Sequence, residues 1–370
     1  MFGQVLAILR PTRLSMSIRA AKLQTLRART APVAKTALLH FGGYAAVRRL
    51  LPSHDVAILR YHSICGPEGH SYADPAICVS PQAFQEHVAY IAASYAVLPL
   101  QEIATRLRDK RPLPRNCVAI TFDDGYADNL AAARTLSRYG LTATFYITAG
   151  CMADGDPFWP SELRGLIQAI PYPFVRLSID RGAVEIPLQT VAERRKAVNT
   201  ITRLIKANPI RVREALRQQL RDAADVGSLP SPMLRWSDIA EMQRLGMTIG
   251  SHTLTHPNLP NAWPSDASRE IYGSKMLLER ELGVPVTMFS YPNGGAERYM
   301  TSDIARLVKE AGFEAATTSR NAFAGPRSDL FALERIQVAE RLEDLVFALE
   351  IERFAFRPSP RAAEERRMTP

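Results

Sequence analysis

The stretch Val118-Ala119-Ile120-Thr121-Phe122-Asp123-Asp124-Gly125-Tyr126 decides how the chain is read. Its first five residues are apolar or β-branched without interruption, which predicts a strand covered on both faces, as parallel α/β sheets have. The run ends in two adjacent acids and a glycine. In parallel α/β folds, active sites are built at the C-terminal ends of strands. Paired acids there can divide the work, one holding a metal while the other stays free as a base. The other reading is that Asp124 only caps the helix that follows.

Outward from this stretch the same rhythm recurs. Strands are predicted at Val56–Tyr61, Tyr95–Leu98, Val118–Phe122, Ala143–Ile147, Met247–Ser251, Val286–Ser290, Glu314–Thr318 and Leu333–Val338. Helices between them carry their own punctuation. Ser80-Pro81 offers an N-cap followed by proline at the first helical position. Tyr126–Tyr139 runs into Gly140, and Asp266–Leu282 stops at Gly283, both natural left-handed caps. Strands alternating with helices predict an α/β fold with a parallel sheet or barrel. Residues Asp154–Arg235 break the rhythm with two helical patterns, Thr190–Lys206 and Ile210–Ala223, and read as a helical insertion that forms a lid or substrate-contact subdomain. Residues 351–370 are rich in proline and charge and read as a disordered tail.

Charge separates the chain into an arm and a body. Of the 370 residues, the first 54 hold nine Lys or Arg and no acid, which accounts for the whole net charge of +9. A neutral body argues against nucleic acid as partner, and a basic arm argues for a local role. Residues 1–54 read as a basic N-terminal arm, either a solvated leader with a few helical turns or a segment lying on an anionic membrane surface. No apolar run approaches the ~20 residues needed to span a bilayer, and no signal-peptide order is present. A cytoplasmic or membrane-peripheral location is therefore expected, with export left open. Cys65, Cys78, Cys117 and Cys151 form no CxxC pair. Cys117 reads as a small core residue, and Cys65 and Cys78 share one loop-rich stretch and can pair only in an oxidising compartment.

The second chemical motif is Ile249-Gly250-Ser251-His252-Thr253-Leu254-Thr255-His256-Pro257. It too follows a predicted strand. Two histidines four apart on one face of a helical turn can reach a single cation. One acid and two histidines make a three-ligand site with open positions for water and substrate, and zinc is the default divalent ion for that donor set.

Together these motifs resemble the polysaccharide deacetylases of carbohydrate esterase family four. Thr121 to Tyr126 is similar to their first motif and Ser251-His252 through His256-Pro257 to their second. Phe289-Ser290-Tyr291-Pro292-Asn293-Gly294 is similar to the third, and Glu270-Ile271 through Gly283 to the linking helix. The resemblance spans about Asp55 to Val338, least closely in the insertion, and implies a deacetylase domain at 55–350 with a distorted (β/α)7-type barrel and the helical insertion at 154–235. It implies Asp123 as catalytic base and Asp124, His252 and His256 as ligands of a divalent metal, Zn(2+) by default. The backbone N–H of Asn293 is the expected oxyanion donor, and Tyr126 and Tyr291 are candidate substrate contacts.

The chain departs from that pattern in two places. Ser290 stands where many members carry the arginine that orients the base; Arg335 either replaces it or is a surface arginine beside a strand. No histidine follows His256, so the usual late Leu-x-His is missing, whereas Ile58-Leu59-Arg60-Tyr61-His62-Ser63 sits early, as in circularly permuted members similar to poly-N-acetylglucosamine deacetylases. His62 is then the expected general acid, a role suited to a near-neutral pKa. The implied activity is removal of N-acetyl groups from a glycan. An O-acetyl esterase and a catalytically impaired sugar-binding relative are the alternatives.

Overall fold

The computed structural model describes residues 32–179, 182–294 and 298–354. The expectations for residues 1–31 and 355–370 lie outside them. All eight predicted strands form: β1 (Val56–Tyr61), β2 (Ala96–Val97), β3 (Cys117–Phe122), β4 (Thr144–Ile147), β7 (Thr248–Ser251), β8 (Met288–Ser290), β9 (Ala315–Asn321) and β10 (Leu333–Gln337). Two more, β5 (Phe174–Ile179) and β6 (Gly182–Pro187), pair antiparallel inside the insertion.

Seven strands close into a parallel barrel in the order β1-β10-β9-β8-β7-β4-β3, sealed where β3 pairs β1 over six residues from Val56↔Cys117 to Tyr61↔Phe122. β4 covers only the upper part of β3's other edge, at Thr121 and Phe122, and the short β2 fills the lower part at Cys117 and Val118. The fold is thus the (β/α)7-type barrel that the sequence implies.

The period of two along each strand sorts the side chains. Val56, Ile58, Cys117, Ala119, Tyr146, Met288, Ala315 and Leu333 fill the barrel. Their neighbours Leu59, Tyr61, Ile120, Phe122, Phe145, Ile249 and Phe289 pack outward against the helices. Continuing the inward parity upward places Arg60, Thr121, Asp123, His252, Ser290, Ser319, Arg335 and Gln337 at the barrel's C-terminal mouth. One turn of counting therefore puts every strand-borne polar group of the site on one face.

The helices obey the caps read from sequence. Ser80 accepts from the Ala83 N–H at the start of Pro81–Ser94, and Gly283 ends Pro264–Leu282 at φ 67°. The insertion carries its own core, with Leu163, Leu177, Ile186, Ile201, Leu216 and Leu220 buried together. Its helices Val191–Lys206 and Ile210–Ala224 match the two expected ones, and a further helix, Trp159–Ala169, precedes the hairpin. The described part of the basic arm is folded. Helix Gly43–Leu50 and the helical residues 32–40 dock on the terminal helix Leu342–Glu350, through Lys35–Asp344 at 2.8 Å and Arg48–Glu350 at 3.1 Å. No helix among the described residues is long and apolar enough to cross a membrane.

Gly250 shows how tightly the barrel is filled. A Cβ built there would lie 2.5 Å from the Tyr146 ring and 3.0 Å from the Met288 carbonyl oxygen. Gly250→Ala is expected to destabilise the fold by about 1–3 kcal/mol, the usual cost of overpacking a core. The shift of the urea midpoint measures it; an unchanged midpoint would show that the interior has slack.

Candidate active site and metal centre

The first acid of the pair is held from below. Arg335, wholly buried on β10, donates from Nη1 to Asp123 Oδ1 and from Nη2 to Asp123 Oδ2, each at 2.7 Å. Its remaining donors go to the Thr318 carbonyl, Thr121 Oγ1 and Ser290 Oγ at 2.8, 3.2 and 3.0 Å. Its guanidinium carbon lies 5.7 Å from the centre of the Tyr146 ring. Such a planar fork fixes a carboxylate in orientation as well as charge. Of the two sequence readings of Arg335, the structure shows the buried partner of Asp123 and not a surface residue. Ser290, where the resemblance expects arginine, is small enough to leave room for this guanidinium and accepts from it.

Burial alone would raise the Asp123 carboxyl, but the charge of Arg335 beside it holds it well below the usual carboxylate range. The resting form of Asp123 near neutral pH is therefore the carboxylate. The second acid faces elsewhere. Asp124, at φ 76°, turns Oδ1 to within 3.5 Å of His252 Nε2 and 3.4 Å of His256 Nε2. The candidate ligand atoms of these three residues lie within 4.8 Å of one another, and all three are buried.

Second contacts set the histidines for this. The Nδ1 of His252 lies 2.8 Å from the Ser290 carbonyl oxygen, an acceptor only, so it carries the proton and leaves Nε2 a lone pair. Burial pushes His256 down to about 3, against the pull of the Asp124 charge, so its imidazole is neutral as a ligand must be. The donor set thus fits a divalent cation.

One expectation is corrected here. The two histidines do not share a helical turn. Residues 252–258 form an irregular loop in which Thr253 and His256 adopt φ 68° and 57°. Three anchors hold that loop. Glu270, buried on the linking helix, accepts from the N–H groups of Leu254 and Thr255 at 2.9 and 2.8 Å. Arg213, from the insertion, donates to the Thr255 carbonyl and hydroxyl at 2.9 and 2.8 Å. Trp159 donates from Nε1 to the His256 carbonyl at 3.0 Å.

His62 follows β1 and brings Nε2 to 3.8 Å from Asp123 Oδ2. Burial lowers it to about 4, although the charges of Asp124 and Asp123 pull the other way. Its loop is tied down by the head of the helix after the first motif. Asn129 donates to the His62 carbonyl at 2.7 Å, while Asp128 accepts from Ser63 Oγ and the Ile64 N–H at 2.6 and 3.0 Å. Cys65 and Cys78, both free, meet in this loop with sulfurs 3.2 Å apart.

Asn293, at φ 73°, spends its side-chain amide on the Pro257 carbonyl, and its N–H has no partner among the described residues. The two tyrosines are less available. The Tyr291 hydroxyl donates to the Phe331 carbonyl at 2.9 Å, and Tyr126 is buried against Tyr72 and Phe158. Sequence reading missed the anchoring set of Asp128, Asn129 and Arg213. Their only signal was polarity at a helix start or inside the insertion, where capping and solvation are the ordinary explanations.

A closed parallel barrel with an acid-and-two-histidine cluster at its C-terminal mouth defines an α/β-barrel protein with a candidate metal centre. The chain belongs to the polysaccharide deacetylase family, whose pattern matches residues 110–316, more than half of it. It is similar to the Bacillus subtilis (strain 168) protein YxkH, 23% identical over 298 residues that cover 80% of this chain and 75% of that one. Among solved structures it is similar to the Streptococcus pyogenes deacetylase PplD in complex with acetate, with 18% identity and a TM-score of 0.53, covering 81% of this chain and 99% of that one. It is similar also to IcaB from Ammonifex degensii, with 17% identity and a TM-score of 0.53, covering 80% and 97%. At these identities the two structures speak for the fold.

The buried ion pair yields a stability prediction. Asp123 titrates lower folded than unfolded, so its stabilising contribution is fully present above about pH 4, the ordinary carboxylate value. That contribution is lost as pH falls through the folded value. Arg335→Gln strands a buried carboxylate and is expected to cost about 3–5 kcal/mol at pH 7. The penalty should shrink as acid protonates Asp123. Denaturant unfolding at pH 7 and pH 3.5 checks both; an equal penalty at the two values would mean the pair is not what Arg335 contributes.

Proposed function

We propose that the chain is a metal-dependent hydrolase that removes N-acetyl groups from a polysaccharide or oligosaccharide of N-acetylated sugars. One observation carries the reading. Arg335 takes both oxygens of Asp123, so the adjacent acids are separated, Asp124 turned to two histidines and Asp123 held as a carboxylate poised to act as base.

In this reading Asp124, His252 and His256 would hold the cation, zinc by default for that donor set. A bound divalent ion supplies Lewis acidity toward the acetyl carbonyl and toward water. Asp123 accepts the proton of the attacking water, its orientation already fixed by the Arg335 fork. The N–H of Asn293, without a partner among the described residues, donates to the oxyanion as it forms. His62 protonates the departing amine. Held neutral by burial, it takes up the proton that Asp123 accepts from the water, with Asp123 Oδ2 3.8 Å away.

An O-acetyl ester would fit the same carbonyl position. The presence of His62 favours the amide, because an amine leaves only when protonated and an alkoxide needs that help less.

The chain is expected to release acetate from N-acetylglucosamine oligosaccharides, to stop when chelated and to recover with zinc. His62→Ala should lower kcat by roughly 10²–10⁴-fold on these amides while zinc content is unchanged. Release from O-acetylated glycans alone, or an undiminished rate in the chelated protein, would contradict the proposal.

A further inference from the structure

One cation at the mouth is left over by this account. Arg60 points into the barrel by the parity of β1 and sits at its rim, paired in register with Thr121 on β3 and Gln337 on β10. Its Nε donates to the Gln337 Oε1 at 2.9 Å. Its Nη1 and Nη2 have no acceptor among the described residues. Asp123 does not serve, because Arg335 already takes both its oxygens; Asp124 does not, because it faces the two histidines.

The surroundings of this guanidinium are equally unfinished. Its Nη1 lies 4.0 Å from where a Cβ on Gly294 would stand, and the same Cβ would lie 2.0 Å from Ser319 Oγ. Gly294 thus lets Ser319 Oγ pack against the third motif, with the Arg60 guanidinium bordering the same point. Ser319 Oγ is buried and has no hydrogen-bond partner among the described residues. Arg60 and Ser319 come from β1 and β9, on either side of β10, whereas Asp124 and His252 follow β3 and β7. Asn293, whose N–H is the oxyanion donor of this reading, directly precedes Gly294.

We infer that Arg60, with the hydroxyl of Ser319, forms an anion subsite that binds a carboxylate carried by the substrate glycan beside the acetamide. The inference rests on the deacetylase reading above and names the substrate class for it, acidic glycans rather than neutral ones. A guanidinium with two free N–H groups presents the planar fork that matches a carboxylate. Asp123 and Asp124 lie near enough to favour the Arg60 charge but are engaged by Arg335 and the two histidines, so an anionic substrate gains charge-assisted hydrogen bonds to Nη1 and Nη2 that no carboxylate of the described residues makes. A neutral sugar gains none of these, so the site discriminates in favour of substrates carrying the anion. The carboxylate can belong to the acetamido sugar itself, as an ether-linked acid, or to a neighbouring uronic acid.

Four oligosaccharides separate these possibilities: a neutral N-acetylglucosamine oligomer, one containing N-acetylmuramic acid, its carboxyl methyl ester, and one alternating N-acetylglucosamine with glucuronic acid. Acetate release gives kcat/KM and calorimetry gives Kd. The wild-type chain should favour an acidic oligomer over its uncharged counterpart by about tenfold or more, the usual scale for a charged hydrogen bond. The preference should lie in KM and Kd. Which acidic oligomer is favoured identifies the carboxylate's position.

Arg60→Gln should reduce the acidic-to-neutral ratio to near one, and Arg60→Lys should retain part of it. Equal use of acidic and neutral oligomers by the wild type, or a ratio untouched in Arg60→Gln, would overturn the inference. If no oligomer releases acetate yet the acidic one binds more tightly through Arg60, the subsite stands and the deacetylase reading fails.

Discussion

A single buried ion pair organises the mouth of this barrel. Asp123 and Asp124 are neighbours in sequence and both are buried, an arrangement that would ordinarily force one of them to take up a proton. Arg335 prevents that by closing on Asp123 with two N–H groups from the barrel interior, and its other donors are spent on Thr318, Thr121 and Ser290. Because that guanidinium is locked on four sides, Asp123 has one orientation and one charge. Asp124 is then free to face the histidines. Size matters as much as charge here, since a larger residue at position 290 would occupy the space of the guanidinium.

The loops that carry the other groups are not rigid by themselves, and each is anchored by a buried polar contact from a neighbouring element. Glu270 and Arg213 grip opposite sides of Thr255 in the loop between the two histidines. Asp128 and Asn129 grip the residues after β1, which fixes where His62 can reach. The insertion is part of this bracing. Arg217 joins Glu162 and Glu214 at 2.7 Å within it, and Arg213 and Trp159 carry that rigidity to the metal-ligand loop. A segment that reads as a lid in sequence is therefore also a buttress, so the site's geometry depends on a second hydrophobic core.

Much of this was legible before any coordinates. The barrel strands announced themselves because strands buried on both faces are continuous apolar runs, and the two acid and histidine motifs fell at their ends. The hairpin β5–β6 was not legible, because one face is exposed and Phe174 and Val184 stand in solvent, blurring the hydrophobic pattern. The loop from His252 to His256 was misread as a helical turn. Nothing in Thr253 or His256 signals a positive φ, and it takes the hydrogen bonds to Glu270 to impose that path. Arg335 remained ambiguous for a different reason. Its parity with Leu333 places it inside, but an arginine inside a barrel is credible only once its acceptor is known, and Asp123 is more than 200 residues away.

The central claim is a division of labour between two adjacent acids, and metal analysis tests it most directly. Zinc content per chain, measured by mass spectrometry after dialysis, should be near one in the wild type and in Asp123→Asn. It should fall toward zero in Asp124→Asn. Retention of zinc by Asp124→Asn together with its loss from Asp123→Asn would contradict the account, because it would exchange the ligand and the base.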